Sequence, residues 1–356
     1  MIRTLFLQGP SFDGYDGGAG ERYQMKREVR SFWYPTWLAQ PAAMIEGSRL
    51  IDAPAHDQGW DDIAHEVDGK DLIVLHTSTP SFNQDVRTAE LIRARNPKAL
   101  IGLVGAKVAV EPDKSLAASA AIDFVAREEY DFTLVEIAGG RPLAEVDGIT
   151  WRAPGGEFIR NRDRAMIEDM DVLPMVSPVY KRDLTIEKYF GGYLRHPYVS
   201  FYTGRGCKSR CTFCLWPQTI SGHRYRFRSI PKVIEEVQYI LKELPQTKEI
   251  FFDDDTLTDN HDRVEELAKA LGELGFGKPG FPVSWSCNAK ANVPRKTLEV
   301  LKANGLRLLL VGYESGNQQI LHNIKKGLRV DVARQFTKDC HELGIAIHGT
   351  FILGLP

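Results

Sequence analysis

Three cysteines crowded into eight positions constrain this chain more than any other feature. Cys207, Cys211 and Cys214 have a C-x3-C-x2-C spacing. The chain has five cysteines, the others being Cys287 and Cys340, and an odd total with three in one cluster is not a disulfide framework. Three thiolates so close together suit a soft metal centre. The spacing therefore predicts a metal site whose ligands are Cys207, Cys211 and Cys214.

The cysteine segment opens a regular alternation of strands and helices. A strand over 198–203 precedes it, and apolar residues recur at helical spacing from Ile230 to Leu244, with Ser229 as a candidate N-cap. Further strands are predicted over 249–252, 283–288, 307–312 and 346–353, and helices over 262–274, 295–304 and 330–343. Five such βα units predict the start of a (β/α) barrel over 196–356. A barrel edge left unpaired after the fifth strand is unfavourable, so we expect a truncated barrel whose natural chain continues.

Two kinds of metal centre fit three local cysteines. An iron–sulfur cubane usually takes four cysteines, so a set of three leaves one iron without a protein ligand. A structural zinc site needs a fourth Cys or His, and the nearest candidate is His223, nine residues after Cys214. Because the cysteines open a barrel rather than a small loop-rich module, the iron–sulfur cluster is favoured. A zinc-stabilised binding module without turnover is the alternative of another class.

The same segment resembles the radical S-adenosylmethionine (SAM) superfamily, and the aromatic Phe213 before the last cysteine agrees with that family's pattern. The resemblance implies a 4Fe–4S cluster held by Cys207, Cys211 and Cys214. It implies that the amino and carboxylate groups of SAM fill the open iron corner. One electron then cleaves a carbon–sulfur bond and releases a 5′-deoxyadenosyl radical. It also implies an external electron donor of flavodoxin or ferredoxin type.

Polar residues at other predicted strand ends fit this site, because ligand groups cluster at the carboxyl ends of barrel strands. Asp253, Asp254 and Asp255 follow one strand, and three adjacent carboxylates repel each other unless a cation or donors face them. On the next strand, alternation directs Asn288 to the site and Cys287 to the core. For any single aspartate, the alternative interpretation is a solvated turn at the start of a helix.

The resemblance assigns roles to further residues. It implies that the strand end at 253–255 receives the SAM ammonium, and that Glu314 contacts the ribose or the amino acid. It implies that Gly349 lets the backbone approach adenine, with Phe213 beside that ring. Cys340 lies on an apolar stripe with Val332 and Phe336, and we expect it to be a core residue.

The first 140 residues carry a second alternation. Strands are predicted over 2–8, 72–77, 99–104 and 124–126, and helices over 86–95 and 114–121. Apolar strands separated by helices predict a doubly wound, Rossmann-like α/β domain over 1–140. Residues 11–40 predict a long loop after the first strand, where ligands commonly bind. Turn signals at 147–148 and 154–156 predict a connector over 141–195 with a small hairpin.

A doubly wound domain before such a barrel resembles the cobalamin-binding subclass of radical SAM enzymes. The resemblance implies that the corrin lies between the domains and that loops of the sheet cover its nucleotide tail. Candidate contacts are Ser78, Gly105 and Glu128, which follow predicted strands. The Asp-x-His-x-x-Gly signature of cobalamin-dependent mutases is missing, since Asp52 stands four residues before His56. We therefore interpret His56 as a surface loop residue.

Two stretches narrow the resemblance further. Residues 30–41, with the run Phe-Trp-Tyr-Pro-Thr-Trp, and residues 251–256 resemble the hopanoid-biosynthesis-associated radical SAM proteins. That family implies action on the sugar or polyol side chain of hopanoids, contracting an amino-sugar ring to a cyclitol ether. The radical would take hydrogen from a substrate carbon, and the product would rearrange or be methylated through cobalamin. A lipid-linked substrate implies transient contact with a membrane surface.

Composition limits the remaining functions. The formal net charge is −2, with 45 Lys and Arg against 47 Asp and Glu, which argues against nucleic acid as a partner. Residues 223–228 mix cations with aromatics, which can bind RNA. The alternative enzyme function is methyl or methylthio transfer to RNA or to another small molecule. Barrel rim or a contact to a substrate anion is the favoured interpretation of that stretch. The sequence has no signal peptide and no apolar run of about 20 residues, so we expect a cytoplasmic enzyme.

Overall fold

The computed structural model describes residues 2–18 and 31–356. Contacts divide the chain into two compact units: Met1–Ile167 with Leu173–Gly191, and Glu168–Val172 with Gly192–Pro356. Most of the stretch predicted as a connector, 141–195, packs within the first unit, so the division falls later than residue 140. No helix in the described ranges is both long enough and apolar enough to cross a bilayer.

The first unit is built on a mainly parallel sheet. Its strands are β1 Thr4–Gln8, β2 Arg49–Asp52, β3 Leu72–His76, β4 Leu100–Val104, β5 Phe124–Ala126, β6 Ile149–Arg152 and β7 Phe158–Arg160. Among the described residues of this unit they form one sheet in the order β2-β1-β3-β4-β5-β6-β7. The first five run parallel, and β6 and β7 join antiparallel at the β5 edge. All residues of β1 and β3 are buried, which explains their continuous apolar signal.

Two features of this sheet differ from the prediction. The sequence did not predict β2, because Arg49 and Asp52 flank only two apolar residues in so short a strand. The predicted hairpin is present as the β6–β7 pair, with the turn signal at 154–156 between its strands and that at 147–148 just before β6. It extends the sheet instead of standing apart in a connector.

Helices connect the strands of the first unit. They are α1 Thr36–Met44, α2 Trp60–Ile63, α3 Phe82–Arg95, α4 Ala106–Val110, α5 Pro112–Ala117, α6 Asp131–Ala138 and α7 Ser177–Asp183, with 3-10 turns at Ala64–Val67, Leu143–Glu145 and Ile186–Lys188. The helix predicted over 114–121 begins earlier, at Pro112, because proline fits the first turn of a helix. It ends at Ala117, four residues short of the prediction.

Part of the predicted 11–40 loop belongs to the core. Tyr34 is buried, and its ring stacks on that of Tyr189 with centroids 4.1 Å apart. The helix α1 starts within the same stretch. Residues 19–30 of the loop, including Arg30 of the segment that resembles the hopanoid-associated proteins, lie outside the described residues.

The second unit contains the elements that the C-terminal alternation predicts. Its strands are β8 Tyr198–Phe201, β9 Gly204–Arg205, β10 Arg226–Phe227, β11 Glu249–Phe252, β12 Ser284–Ala289, β13 Leu306–Glu314 and β14 Ala346–Phe351. Its helices are α8 Trp216–Thr219, α9 Ile230–Glu243, α10 His261–Leu274, α11 Arg295–Ala303, α12 Gln318–Asn323 and α13 Val330–Glu342, with 3-10 turns at Met170–Val172 and Leu257–Asp259. Each predicted strand and helix is present, and the unpredicted β9, β10, α8 and α12 are short.

The strands of this unit form a parallel sheet in the order β14-β13-β12-β11-β8 among the residues described. The carboxyl ends of parallel strands meet at one edge, so the segments after β8, β11, β12 and β13 are brought together. A closed barrel, and its truncation after the fifth strand, stay predictions.

Core positions of the second unit mostly match the prediction. Cys287 and Cys340 are fully buried, which confirms that they are core residues. Val332 is 37% exposed and does not share the buried stripe of Cys340, because α13 turns Ala333 and Phe336 inward instead. Ser229 occupies the N-cap position of α9, but its side chain makes no capping hydrogen bond.

Candidate metal and cofactor sites

The three cysteines lie in the loop that follows β8, and a short hairpin closes the base of this loop. The strand β9 precedes Cys207 and pairs antiparallel with β10. Gly206 has a φ of 95°, and a Cβ there would lie 2.2 Å from the carbonyl oxygen of Arg224. The turn into the first cysteine therefore requires glycine.

Asp255 joins the two ends of the cysteine loop. Its Oδ2 accepts hydrogen bonds from the backbone N–H of Gly206 at 2.9 Å and from the hydroxyl of Ser221 at 2.8 Å. Sequence reasoning assigned Asp255 to the SAM ammonium. The structure shows that one of its oxygens already positions the loop.

Gln218, which sequence reasoning missed, holds the middle of the loop. Its Nε2 donates to the carbonyl oxygens of Cys211 at 3.0 Å and Cys214 at 2.7 Å. The backbone N–H of Thr212 donates to the carbonyl of Ile324 at 3.0 Å. The loop is thus shaped by contacts with α8 and with the turn after α12.

Asp254 lies beneath the loop, and its predicted role as a SAM ligand is corrected. The side chain is fully buried. It accepts from the N–H and the hydroxyl of Thr203 at 2.6 and 2.7 Å and from the hydroxyl of Tyr225 at 2.6 Å. Burial raises the pKa of this carboxyl above its ordinary range. Its oxygens are occupied inside the protein, where they tie the end of β8 to β11 and to the hairpin.

Asp253 is the member of the triplet that stands beside Asn288. The Nδ2 of Asn288 donates to Asp253 Oδ1 at 3.2 Å and to the carbonyl oxygen of Asp254 at 2.8 Å. Parallel pairing of β11 with β12 brings these strand ends together. Asn288 is half-buried and Cys287 is fully buried, but Ser284 and Ser286 are buried as well, so burial does not test the predicted alternation of β12.

Two of the cysteine thiols, those of Cys211 and Cys214, lie in an environment that opposes ionisation. Cys207 and Cys211 are buried and Cys214 is half-buried. Burial raises the pKa of Cys211. Burial, followed by the charges of Asp255 and the other two cysteines, raises the pKa of Cys214 to about 11. Three thiolates gathered here need a cationic partner, and iron in a cluster is one.

The three cysteines and His223 are the candidate ligands of the two alternative metal centres. Within residues 2–18 and 31–356, no three Cys, His, Asp or Glu side chains are placed to hold one metal ion. In a cubane each cysteine binds a different iron, so the ligands stand further apart. His223, the fourth ligand of the zinc alternative, has its Nδ1 3.0 Å from the carbonyl oxygen of Ser209.

The other predicted SAM contacts have different surroundings. Phe213 is 38% exposed. Glu314 ends β13 with a left-handed φ of 62°, and its Oε1 accepts from Lys326 Nζ at 2.7 Å. A Cβ at Gly349 would lie 3.1 Å from the ring of Tyr313, in a groove lined by α13. Gly349 thus faces the helix side of β14, and its approach to adenine stays a prediction.

In the first unit, the residues predicted for cobalamin follow the ends of β3, β4 and β5. Ser78 is fully buried, and its hydroxyl lies 2.8 Å from that of Ser81, which donates to Asp85 Oδ2 at 2.8 Å. The Ser78 hydroxyl therefore serves the loop itself, which corrects its assignment as a ligand contact. Glu128 is half-buried with a φ of 53°, and burial raises its pKa.

Two polar groups at this edge were missed. His76 ends β3, and its Nδ1 donates to the carbonyl of Gly18 at 3.1 Å. In the described part of the chain, its buried Nε2 and the buried Oε1 of Gln8 have no partner. Burial lowers the pKa of His76 to about 4, so the ring is neutral at pH 7. A polar residue ending a buried apolar strand is the sequence signal that marks both.

Gly105 and His56 are the remaining residues of the first unit that the sequence singled out. Gly105 has a φ of 121°, and a Cβ there would lie 2.2 Å from the carbonyl oxygen of Thr77 and 3.3 Å from His76 Nε2. His56 is half-buried, not a surface loop residue as predicted. Its Nδ1 donates to the carbonyl of Asp52 at 2.8 Å and its Nε2 accepts from Thr185 N at 3.0 Å, so both nitrogens are used.

Comparison with known proteins defines the class of the second unit. Residues 201–356 match the sequence profile of the Radical SAM superfamily. Over 343 residues the chain is 29% identical to the uncharacterized methyltransferase PH0819 of Pyrococcus horikoshii. That alignment covers 93% of this chain and 72% of the relative.

Two solved structures share the fold of nearly the whole chain. The cobalamin-dependent SAM radical enzyme OxsB, with aqua-cobalamin and SAM bound, matches with a TM-score of 0.76 at 16% identity, covering 99% of this chain and 49% of OxsB. The radical SAM methyltransferase TsrM from Kitasatospora setae, with tryptophan and a SAM analogue bound, matches with a TM-score of 0.75 at 15% identity, covering 100% and 68%. TsrM has also been solved with cobalamin and a 4Fe–4S cluster. The cofactor set expected from the sequence is the set bound in these neighbours.

Proposed function

We propose that this chain is a cobalamin-dependent radical SAM enzyme that transfers a methyl group. The observation that carries the proposal is a loop with three cysteines, held by Asp255 and Gln218 at the carboxyl edge of a parallel sheet. When bound, a reduced 4Fe–4S cluster supplies the electron that cleaves SAM, and cobalamin carries the methyl group. The chain spans about half of OxsB, so the activity of the whole protein is part of the proposal.

Residues of the second unit would have two roles at the site, ligation of the cluster and contact with SAM. Cys207, Cys211 and Cys214 would ligate the cluster through three irons. The pair Asp253 and Asn288 presents a carboxylate and an amide at the neighbouring strand ends, where an ammonium and hydroxyls can be bound. Of the three aspartates predicted to receive the SAM ammonium, only Asp253 keeps that role in the proposal.

Cobalamin is supported by the chemistry of the first unit. His76 Nε2 and Gln8 Oε1 are buried acceptors without a donor among residues 2–18 and 31–356, and unsatisfied buried groups are costly. The N–H groups of a neutral, amide-rich ligand would satisfy them, and the side chains of cobalamin are amides. Gly105 leaves space beside His76 that a side chain would fill.

Methyl transfer is favoured over the ring contraction that the hopanoid resemblance implies. PH0819 and TsrM are both named as methyltransferases. None of the three proteins compared above is named for hopanoid synthesis, so that substrate, and with it membrane contact, is a prediction from resemblance alone. A flavodoxin- or ferredoxin-type electron donor and a cytoplasmic location are likewise predictions.

The RNA alternative loses support from the stretch 223–228. Arg224 pairs with Glu168, and the buried Arg228 pairs with Glu236. Arg226 is 5% exposed and donates to the carbonyl of Ser221. Cations engaged in this way are not available to a phosphate backbone. A small-molecule or lipid-linked substrate therefore fits better.

Anaerobic reconstitution with iron, sulfide and cobalamin tests the proposal. We expect about four iron and four sulfide per chain, together with cobalt. With reductant and SAM, methyl transfer should form S-adenosylhomocysteine as well as 5′-deoxyadenosine, whereas rearrangement forms 5′-deoxyadenosine alone. Iron without cobalt would remove cobalamin from the proposal, and zinc without iron or sulfide would overturn it.

A further inference from the structure

The hydroxyl of Thr256 lies against the sulfur of the first cysteine. Its Oγ1 is 3.7 Å from Cys207 Sγ, within the range of a hydrogen bond to sulfur. Among residues 2–18 and 31–356, this is the one hydrogen bond between a side chain and a cysteine sulfur of the loop. Thr256 is 6% exposed and Cys207 is 7% exposed, so the contact is shielded from water. A hydrogen bond in such surroundings is stronger than one at the surface.

The end of β11 holds this hydroxyl beside the loop. Thr256 follows the aspartate triplet, and its backbone carbonyl accepts a hydrogen bond from the N–H of Asp259 at 3.2 Å. The preceding residue, Asp255, accepts at 2.9 Å from the N–H of Gly206, one position before Cys207. Two consecutive residues therefore fix the first cysteine, one through its backbone neighbour and the other through its sulfur.

The hydroxyl of Thr256 has two neighbours but only one proton. It donates to the backbone carbonyl of Asp255 at 2.6 Å, so the thiol of Cys207 supplies the proton of the contact between oxygen and sulfur. A cysteine binds a metal as the thiolate, which has lost that proton. In the thiolate state, the contact remains a hydrogen bond only if the hydroxyl turns its proton towards sulfur. A hydrogen bond to an ionised acceptor is the stronger of the two, which favours that orientation.

The cysteine sulfurs differ in the origin of their donors. The backbone N–H of Trp216 hydrogen-bonds the thiol of Cys214. The main chain supplies this bond whatever side chain occupies the position. At Cys207 the donor is a side chain, so a substitution of Thr256 can remove it.

A hydrogen bond to a cluster sulfur changes the free energy of cluster reduction. The reduced cluster carries one more negative charge than the oxidised cluster, and a donor stabilises the more negative state more. Hydrogen bonds to the sulfurs are one determinant of a cluster's reduction potential.

We propose that Thr256 donates a hydrogen bond to the Cys207 ligand and raises the reduction potential of the cluster. The step that it assists is the transfer of one electron to the cluster from an external donor of the flavodoxin or ferredoxin class, before SAM is cleaved. Thr256 is thus a positioning residue that acts through Cys207. This inference rests on the proposed function, and Thr256 was not among the candidate site residues of the sequence.

The test compares Thr256→Val with Thr256→Ser and Thr258→Val in the iron-loaded protein. Valine keeps the shape of threonine and removes the hydroxyl, whereas serine keeps the hydroxyl. Thr258 lies in the 3-10 turn that follows Thr256 and is 2% exposed, and its hydroxyl has no partner in the described part of the chain. Its valine variant therefore controls for the loss of a buried hydroxyl. Anaerobic redox titration without SAM, followed by EPR of the reduced cluster, gives each potential at matched iron and sulfide content.

The expected shift is that of one hydrogen bond. We expect Thr256→Val to lower the equilibrium constant for one-electron reduction about tenfold. That factor corresponds to a potential about 59 mV more negative for a one-electron couple. The potentials of Thr256→Ser and Thr258→Val should remain close to that of the wild type.

Other outcomes overturn the inference. An unchanged potential in Thr256→Val at full iron loading shows that the hydroxyl does not act on the cluster. A shift in Thr256→Ser or Thr258→Val equal to that in Thr256→Val shows an effect of packing instead. If Thr256→Val does not load iron, Thr256→Ala replaces it under the same criteria. If the wild type forms no 4Fe–4S cluster, the proposed function fails first and the inference falls with it.

Discussion

In each of the two sheets, functional groups lie at the carboxyl ends of the parallel strands. The groups differ in charge between the two units. In the second unit the edge carries Asp253, Asp255, Glu314 and three cysteines, all able to bear charge. In the first unit, two buried acceptors at this edge have no partner among the described residues, Gln8 Oε1 and His76 Nε2. Both are neutral, because Gln8 has no charge and burial lowers the pKa of His76 to about 4. Parallel pairing determines where a ligand binds, and the residues at the strand ends determine its class. The edge of the second unit suits a charged cluster with a zwitterionic co-substrate. The edge of the first unit suits a neutral, amide-rich ligand.

The largest expected effect tests the charged edge. Cys211→Ala removes one of three cluster ligands, so we expect loss of most bound iron and of SAM cleavage. Cys287→Ala is the matched control, since Cys287 is fully buried in the core and should keep its iron. Iron and sulfide analysis with 5′-deoxyadenosine measurement checks both. Full iron loading of Cys211→Ala would contradict the assignment.

The next effect distinguishes two neighbouring carboxylates of that edge. Asp254→Ala leaves the N–H and hydroxyl of Thr203 and the hydroxyl of Tyr225 without their acceptor. We expect a loss of about 3–5 kcal/mol in the free energy of unfolding. Asp255→Ala should reduce iron loading more than stability, because it frees Gly206 at the loop. Urea denaturation of the apoprotein and iron analysis give both readouts, and equal profiles for the two variants would remove the distinction.

A pH dependence tests the buried acid of the neutral edge. Burial raises the pKa of Asp85 to about 7, against about 3.9 when unfolded. The folded state therefore holds this proton more tightly, and its contribution of up to about 4 kcal/mol is present below pH 4 and lost as the pH rises towards 7.

The Asp85→Asn variant has no ionisable group at this position. Its free energy of unfolding should therefore increase relative to that of the wild type as the pH rises from 4 to 7. The depressed pKa of His76 has the opposite sign, giving stability that is lost as the pH falls from about 6.5 to 4. That contribution is common to both proteins and cancels in the difference. Urea denaturation at several pH values checks this, and a difference that does not vary with pH would disprove it.

The smallest expected effect tests the ligand of the neutral edge. His76→Phe keeps a ring of similar size and removes the Nε2 acceptor. We expect about tenfold weaker cobalamin binding, the loss of one hydrogen bond, with unchanged iron content. His65→Phe is the control, because the side chain of His65 is 69% exposed. Absorbance titration with hydroxocobalamin measures both, and equal affinities for His76→Phe and the wild type would exclude this role.

Local patterns predicted the elements of the second unit well. The strand over 249–252 has its predicted bounds, and the helix from Ile230 begins where its apolar spacing begins. These signals are local, since they depend on which face of a strand or helix is buried. In the first unit, β2 escaped prediction because two apolar residues are too few to show a period.

Roles were harder to predict than elements. The aspartate triplet was interpreted as one ligand group, yet Asp254 is internal, Asp255 holds the loop and Asp253 faces Asn288. The triplet lies after the end of β11, and the partners of its three members come from different, distant segments. The ion pair of Lys326 with Glu314 was missed for the same reason, since Glu314 lies twelve positions earlier on another element.

The sequence by itself determined the chemistry that this chain can support: three thiols at a spacing suited to a cluster, directly after a strand, within an alternation that builds parallel sheets. Only the tertiary structure decided which polar groups are used up inside the protein and which are left for a ligand. The physical reason is that hydrogen bonding and burial depend on contacts between distant segments. A carboxylate such as Asp254 and one such as Asp253 are identical in the sequence until folding surrounds them with different partners.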